Sequence, residues 1–281
     1  MRSDFCAFIL THGRPNRVKT YGLLRKLGYT GKIFVVLDNE DDSINKYLDI
    51  YNKDVVVFNK PYIANSFDTF DNQENRSTIV YARNACFSLA REFGYKYFIE
   101  LDDDYYYFGH KEPNESSCYI YDLDRMFEIL VEFLEKTPIT SVAFAQGGDH
   151  IGGYDGSILC KRKAMNSFIC SVDKPFQFIG RINEDVNTYV RLGGIGNIFL
   201  TIMNIKLDQV DTQTNSGGMT GVYVDSGTYV KSFYSVMVAP SCVKVKAMSG
   251  GKCARLHHSI SWNNAVPCII RQEYKKSNQN E

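Results

Sequence analysis

The sequence predicts an α/β fold, a largely parallel sheet flanked by helices, on three observations. The first third alternates short continuous apolar runs with segments of helical spacing, a βαβαβ rhythm that builds parallel sheet. Those runs end in polar, glycine-containing or acidic turns, the place where such sheets bind ligands. One run leads directly into three aspartates, Asp102-Asp103-Asp104.

Residues 5–10 are a continuous apolar run that ends in Thr11-His12-Gly13-Arg14-Pro15, a buried strand entering a loop. Residues 17–27 carry Val18, Tyr21, Leu24 and Leu27 at helical spacing and stop at Gly28. Residues 32–37 form a second buried strand, closed by the acidic turn Asp38-Asn39-Glu40-Asp41-Asp42, before a helix over 43–51 and a strand over 54–58. Residues 61–78 are polar and turn-rich and read as loop. A helix over 79–93 is capped by Gly94, and strand 95–101 runs into the aspartates, followed by the aromatic wall Tyr105-Tyr106-Tyr107-Phe108. Residues 122–136 form an amphipathic helix with Leu123, Phe127, Leu130, Val131 and Leu134 on one face. A strand over 141–145 enters a glycine-rich turn, 146–153.

The second half is less regular. Residues 158–170 and 175–179 read as short strands, 184–192 as a short helix, and 201–205 and 232–238 as strands on either side of a polar, glycine-rich stretch, 211–228. The tail after Tyr274 reads as disordered. No internal repeat or composition break divides the chain, so residues 1–273 read as one domain followed by a tail, 274–281.

The 281 residues, 44% hydrophobic, suffice for one large core. Thirty-two basic and thirty-two acidic residues cancel, which argues against a protein that coats nucleic acid with its whole surface but leaves room for a local basic groove. The eight cysteines are scattered, without a CxxC pair, and several lie inside apolar runs; they read as reduced structural thiols rather than disulfides or zinc ligands. The apolar stretch near the N-terminus is shorter than the ~7–15 residues of a signal core. No run approaches the ~18 apolar residues of a membrane span. The expectation is a soluble, cytoplasmic protein without a membrane partner.

Three adjacent carboxylates at a strand end repel one another, and a divalent cation with hard oxygen ligands neutralises them. On an extended chain Asp102 and Asp104 face the same way and share one site. The competing reading is a solvated acidic turn, but the apolar strand before it and the aromatic wall after it disfavour that. Arg83 and Asn84 open the helix that leads back to this strand, either as surface polar groups or within reach of a nucleotide there. The Thr11-His12-Gly13-Arg14 loop is neither a GxGxxG nor a P-loop, so a dehydrogenase or kinase has no fingerprint here. Asp38 ends the second strand, where a carboxylate often hydrogen-bonds a ribose or base. Glu184 and Asp185 follow Asn183 at a helix start, as caps or as the general base that deprotonates a hydroxyl. His257-His258 is a structural pair unless a metal site is already in hand, in which case neutral imidazole is a common ligand.

In this order, the THGRP loop, the acidic turn after Leu37, the Ala82-Arg83-Asn84 helix, LDDDY at 101–105, the helix at Asn183-Glu184-Asp185 and HHSISW at 257–262, the chain resembles the GT-A glycosyltransferases associated with TET/JBP-type thymine and cytosine dioxygenases. These occur in bacteriophages and are related to the base J glucosyltransferase. The resemblance runs from about Phe5 to Pro267. It implies a GT-A fold: a Rossmann-like mixed sheet flanked by helices, with a DxD motif at the end of a central strand. Residues 1–110 would then be the nucleotide-sugar-binding half and 111–273 the acceptor-binding half. It implies a UDP-sugar donor, Mn²⁺ or Mg²⁺, and inverting transfer of a hexose onto a 5-hydroxymethylpyrimidine of DNA, as in phage DNA hypermodification. By position it implies Asp104 as metal ligand, Asp102 on ribose or metal beside Asp103, and one of His257 and His258 as a further ligand. Thr11, His12, Gly13, Arg14, Asp38, Arg83 and Asn84 would line the nucleotide site. Gly147 and Gly148 would allow close approach of sugar or acceptor. Asp185 or Glu184 would be the base.

For the DNA acceptor, double-stranded with its base extruded, the candidate phosphate contacts are Lys161, Arg162, Lys163 and Arg255, with Lys244, Lys246 and Lys252. The stretch 211–228, with Tyr223 and Tyr229, reads as an acceptor loop whose aromatics stack on the base. The alternatives are a GT-A enzyme acting on a glycan, lipid or protein, and a catalytically dead GT-A-like binding module.

Overall fold

The structure, a computed structural model, describes residues 1–71, 74–111, 116–150, 158–210, 220–250 and 253–269. The N-terminal half alternates as the apolar rhythm predicts: β1 (Phe5–Leu10), α1 (Lys19–Lys26), β2 (Lys32–Asp38), α2 (Ile44–Tyr51), β3 (Val55–Phe58), α3 (Lys60–Ala64), α4 (Val80–Glu92) and β4 (Tyr97–Asp102). Then follow β5 (Tyr105–His110), β6 (Cys118–Tyr119), α5 (Leu123–Lys136), β7 (Ser141–Gln146), β8 (Ile158–Leu159), β9 (Ser167–Ser171), α6 (Glu184–Gly194) and β10 (Phe199–Gln209). The chain closes with α7 (Thr220–Val238), β11 (Val243–Gly250), β12 (Cys253–Ile260) and α8 (Trp262–Ala265).

One mixed sheet runs in the order β3-β2-β1-β4-β9-β7-β10-β5-β6, with β8 also on β10; β11 and β12 form a separate antiparallel hairpin. β1, β2, β3 and β4 are mutually parallel, and β9 runs antiparallel between β4 and β7. β1 feeds two cores by simple alternation. Phe5, Ala7 and Ile9 pack with residues of α1 and α5, while Cys6, Phe8 and Leu10 pack with residues of α4 and α6. The chain leaves β1 for β2 and β3 on one side and returns to β4 on the other. That reversal of strand order places a crevice beyond the carboxyl ends of β1 and β4.

Several expectations change. Residues 61–78 are not all loop: α3 forms because Pro61 fits its first turn and the Asn59 side chain caps it, accepting from Tyr62 N at 2.9 Å. The aromatic wall is itself a strand, β5, paired with β10. Residues 175–179 form no strand, and 158–170 resolve into β8 and β9. Residues 232–238 belong to helix α7. Its polarity misled the reading, because Ser232 and Ser235 are buried whereas Tyr229, Val230, Phe233 and Met237 are exposed. The β11–β12 hairpin was not anticipated. The tail, residues 211–219 and the side chain of Tyr223 lie outside the described residues, while 220–228 belong to α7, as does Tyr229. No helix among the described residues is long and apolar enough to cross a membrane.

Candidate functional site

The aspartate triplet closes the crevice at the end of β4. Asp102 is the last strand residue, and Asp103 and Asp104 form the turn into β5. Strict alternation therefore stops at Asp102, which corrects the geometric premise for pairing it with Asp104, although Asp102 still feels the Asp104 charge. The start of α1 grips this turn. Thr20 Oγ1 donates to Asp102 O at 2.7 Å and accepts from Tyr105 N at 3.0 Å, and Thr20 N donates to Asp103 O at 3.2 Å.

Three hydrogen-bonded groups meet around the triplet. Asp103, almost wholly buried, accepts from Thr11 Oγ1 at 2.5 Å and pairs with Arg14 Nη2 at 3.1 Å, while Arg14 N donates to Tyr47 OH. The end of β2 anchors the second group. Asp38 accepts from buried Lys60 Nζ at 3.2 Å and from the Glu40 N–H, and lies 2.9 Å from His12 Nδ1. Asp41 accepts from Gly13 N at 2.7 Å. Burial works against the Asp38 charge, but His12 and Lys60 outweigh it and hold the carboxyl below its ordinary range; His12 is raised in turn by its Asp38 hydrogen bond.

The third group centres on Arg83 of α4, 1% exposed, under which Phe168 and Phe178 lie. Its Nη2 is 3.0 Å from Asp102, its Nε 3.2 Å from Glu184 and its Nη1 3.6 Å from Glu100. Glu100 alternates with Phe98 and Asp102 onto the α4 face and is fully buried. Burial pushes its carboxyl up to about 8. Burial likewise lifts Asp102 and Asp103 to about 6, and burial with the Asp103 charge raises Asp104. Asp185, next to Glu184 in the first turn of α6, is raised by burial and by the Glu184 charge. Asn183, at φ +53, sets the start of α6 by donating to Lys231 O at 2.6 Å and to Ser235 Oγ at 3.2 Å. Six carboxylates thus surround two guanidinium groups, Arg83 and Arg14. Asp104 has no side-chain hydrogen bond or ion pair among the described residues.

The other predicted residues lie further out. Asn84 is used structurally, its amide exchanging hydrogen bonds with the backbone of Phe178. Gly147 and Gly148 sit in the turn after β7 (Gly147–His150), where a side chain at Gly147 would meet Asp208. Arg162 and Lys163 pair with buried Asp149, and Lys161 donates to Asn263; the Arg255 side chain and Lys252 lie outside the described residues. His257 and His258 stand on β12 with rings 4.2 Å apart, and burial with the charges of His257, Lys163 and Lys231 lowers His258 to about 3. Among the described residues no three His, Cys, Asp or Glu groups gather as a metal cluster, so Asp102, Asp104 and this pair are not one preformed ligand set. Sequence reasoning missed Thr20, Lys60 and Glu100. Glu100 had a signal, a lone acid inside the apolar run Tyr97-Phe98-Ile99-Glu100-Leu101.

A family model for TET-associated glycosyltransferases matches residues 5–218, about three quarters of the chain. The match stops before β11 and β12, short of the residue 267 to which the resemblance was drawn. Among solved structures, glucosyl-3-phosphoglycerate synthase from Mycobacterium tuberculosis with Mg²⁺ and UDP is similar at 10% identity and a TM-score of 0.44, over 92% of this chain and 88% of that one. The same enzyme with Mn²⁺, UDP and phosphoglyceric acid is similar at 10% identity and 0.44, over 95% and 88%. A mycobacterial protein is similar at 10% and 0.43, over 92% and 84%. No match is found among curated proteins.

Proposed function

The chain belongs to the TET-associated glycosyltransferase family, and from that premise we propose that it moves a hexose from a UDP-sugar onto the hydroxyl of a 5-hydroxymethylpyrimidine in double-stranded DNA. The reaction would serve hypermodification of bacteriophage DNA in the host cytoplasm. The observation that carries the reading is the carboxylate cluster around Arg83 at the switch point of the sheet.

The donor set fits a hard divalent cation. Carboxylates outnumber guanidinium groups, and Asp104 forms no ion pair among the described residues, although the Arg14 and Lys19 charges favour its ionised form. Mg²⁺ and Mn²⁺ sites commonly use one or two carboxylates together with substrate phosphates, so Asp102 and Asp104 are a sufficient protein share. Asp102 and Asp104 would hold such a cation, which would supply neutralisation of the charge on the departing nucleoside diphosphate. Arg83 holds Asp102 and Glu184 in place, and Arg14 holds Asp103. The loop from Thr11 to Arg14 and the Asp38 turn form the nucleotide wall.

Asp185 is the better base of the two candidates. Glu184 is engaged by Arg83 Nε, whereas Asp185 has no cation at ion-pair distance among the described residues. Its burial raises its proton affinity toward neutrality, which suits a general base. In the step proposed, Asp185 takes the hydroxymethyl proton, the oxygen bonds to the sugar's anomeric carbon, and the bond to UDP breaks with inversion.

The test is incubation with Mn²⁺, a panel of UDP-sugars and DNA carrying 5-hydroxymethylcytosine or 5-hydroxymethyluracil, with nucleosides read by mass spectrometry and Asp104→Ala as control. A hexose-sized mass gain lost in the variant supports donor, acceptor and metal assignments together. UDP release without DNA change would move the acceptor to a glycan, lipid or protein. Absence of both would leave a binding module.

A further inference from the structure

The charges of the chain are unevenly placed. Residues 226–272 hold six basic side chains, Lys231, Lys244, Lys246, Lys252, Arg255 and Arg271, and no aspartate or glutamate, so the rest of this neutral chain carries six acids in excess. The stretch begins on α7 and includes the whole β11–β12 ribbon. It lies past residue 218, where the family match ends.

Strand pairing decides which of its side chains face outward. β11 and β12 form an antiparallel ribbon apart from the main sheet, with Lys244 opposite Ser259, Val245 opposite His258 and Lys246 opposite His257. Opposite residues share a face. Val243 is buried and Val245 half-buried, while Lys244 and Lys246 are exposed, so one face packs toward the body and the other presents Lys244, Lys246, His257 and Ser259. Neither lysine has an ion pair or a side-chain hydrogen bond among the described residues. By contrast, Arg162 and Lys163 are spent on Asp149, and Lys161 on Asn263.

Helix α7 stands between this ribbon and the candidate base. Ser232 Oγ donates to Leu256 O of β12 at 3.1 Å, and Asn183 at the start of α6 donates to Lys231 O at 2.6 Å. The ribbon is thus one helix diameter, about 10 Å, from the end of α6 that carries Asp185.

We propose that the outward face of the ribbon, centred on Lys244 and Lys246, binds the phosphates of duplex DNA on the acceptor side of the site. The assignment rests on the DNA-acceptor reading and names the surface that holds the duplex. A two-stranded ribbon fits the major groove. At ~3.4 Å per residue the two lysines stand ~7 Å apart, and a DNA strand carries a phosphate every ~3.4 Å of axis, so each lysine takes its own phosphate. The acidic excess elsewhere repels the polyanion and leaves this face turned toward it. An anionic membrane is the competing partner, because α7 exposes Tyr229, Val230, Phe233 and Met237. The ribbon face favours DNA: its described side chains are all polar, with no apolar group to enter a bilayer.

The full chain is titrated by fluorescence anisotropy, across a salt series, with a labelled duplex lacking hydroxymethyl groups. It is then assayed with a panel of UDP-sugars on the same duplex carrying one 5-hydroxymethylcytosine, read by mass spectrometry. The double variant Lys244→Gln with Lys246→Gln is expected to weaken duplex binding about 10- to 30-fold near 0.15 M salt. It should also reduce the slope of log K against log salt by about 2, from the loss of two phosphate contacts. In turnover the same variant raises the acceptor KM more than the donor KM. Lys244→Arg with Lys246→Arg keeps the binding, because the charge is retained. Glycosylation by the wild type, with binding and acceptor KM unchanged in the glutamine variant, overturns the ribbon surface and leaves the DNA reading intact. Lysine-dependent duplex binding without glycosylation supports the surface and counts against transfer to DNA. Absence of duplex binding by the wild type overturns the surface. So does equal or tighter lysine-dependent binding to phosphatidylserine vesicles, which would assign the face to a membrane.

Discussion

Removal of the Arg83 guanidinium tests how the site is held. Arg83→Met keeps the volume and the packing on Phe168 and Phe178 but strips one cation from three carboxylates at 3.0, 3.2 and 3.6 Å. Glu100, at about 8, keeps its proton at pH 7 and loses little. Asp102 and Glu184 each lose their cation, and breaking a buried pair from one side costs about 3–5 kcal/mol. The two losses do not add, because both side chains keep some solvent contact, 18% for Asp102 and 11% for Glu184, through which water relieves part of the penalty.

The expected total is therefore about 3–5 kcal/mol, or roughly 6–20 °C in Tm for a chain of this size. Urea unfolding and calorimetry at pH 7 in EDTA measure it free of any cation contribution. Arg83→Lys should fall between, since a single ammonium cannot reach three partners from one fork. A loss below about 1 kcal/mol for Arg83→Met would refute the reasoning, because it would mean the carboxylates are held by something other than the guanidinium.

Asp104→Asn should leave Tm unchanged or raised, since it removes a carboxylate that burial and Asp103 already disfavour, while abolishing transfer and the Mn²⁺-induced rise in Tm; a fall of several degrees would make Asp104 structural. Thr20→Val removes the hydroxyl between Asp102 O and Tyr105 N, leaving a buried N–H unpaired, and should cost about 1–3 kcal/mol in urea unfolding; a loss near zero would mean the turn holds itself. His12→Asn probes the pair with Asp38 through its pH dependence. The raised His12 pKa gives stability that is full below 6.5 and fades as pH rises through the raised value, while the lowered Asp38 pKa gives stability lost only as pH falls through that value. With His12 half exposed, the wild type should exceed the variant by about 0.5–1 kcal/mol at pH 5.5 and by nearly nothing at pH 9, and an equal gap at both pH values would exclude the ion pair.

The parallel half was legible because β1 and β2 are buried on both faces and read as apolar runs, and because Gly28 and Gly94 stop helices at positive φ. The carboxyl-end rule then located Thr11, Arg14, Asp38 and the aspartates in one crevice. Helix α7 was not legible, because Ser232 and Ser235 face inward while Tyr229 and Phe233 face outward. The β11–β12 hairpin carries one short local signal, the alternation Val243-Lys244-Val245-Lys246, and its partner strand is rich in polar residues. Glu100 and Thr20 were missed for a shared reason. Their roles are contacts between elements far apart in sequence, 85 residues in the case of Tyr105 N with Thr20 Oγ1, and no local spacing records such contacts.

Helix α6 ties these parts into one device. Its first turn presents Glu184 to Arg83 and Asp185 beside it, and its second turn presents Tyr189 to Trp262. A rotation of the helix about its axis would break the Arg83 contact and displace Tyr189 together, so the geometry of both depends on how the start of α6 is fixed. Asn183 fixes it: a left-handed residue that is not glycine is costly unless its side chain is satisfied, and here it donates to both Lys231 O and Ser235 Oγ on α7. Lys231 also draws on the Asp185 charge. α7 therefore sets the position of the candidate base relative to the Arg83 cluster, although it contributes no carboxylate of its own to that cluster.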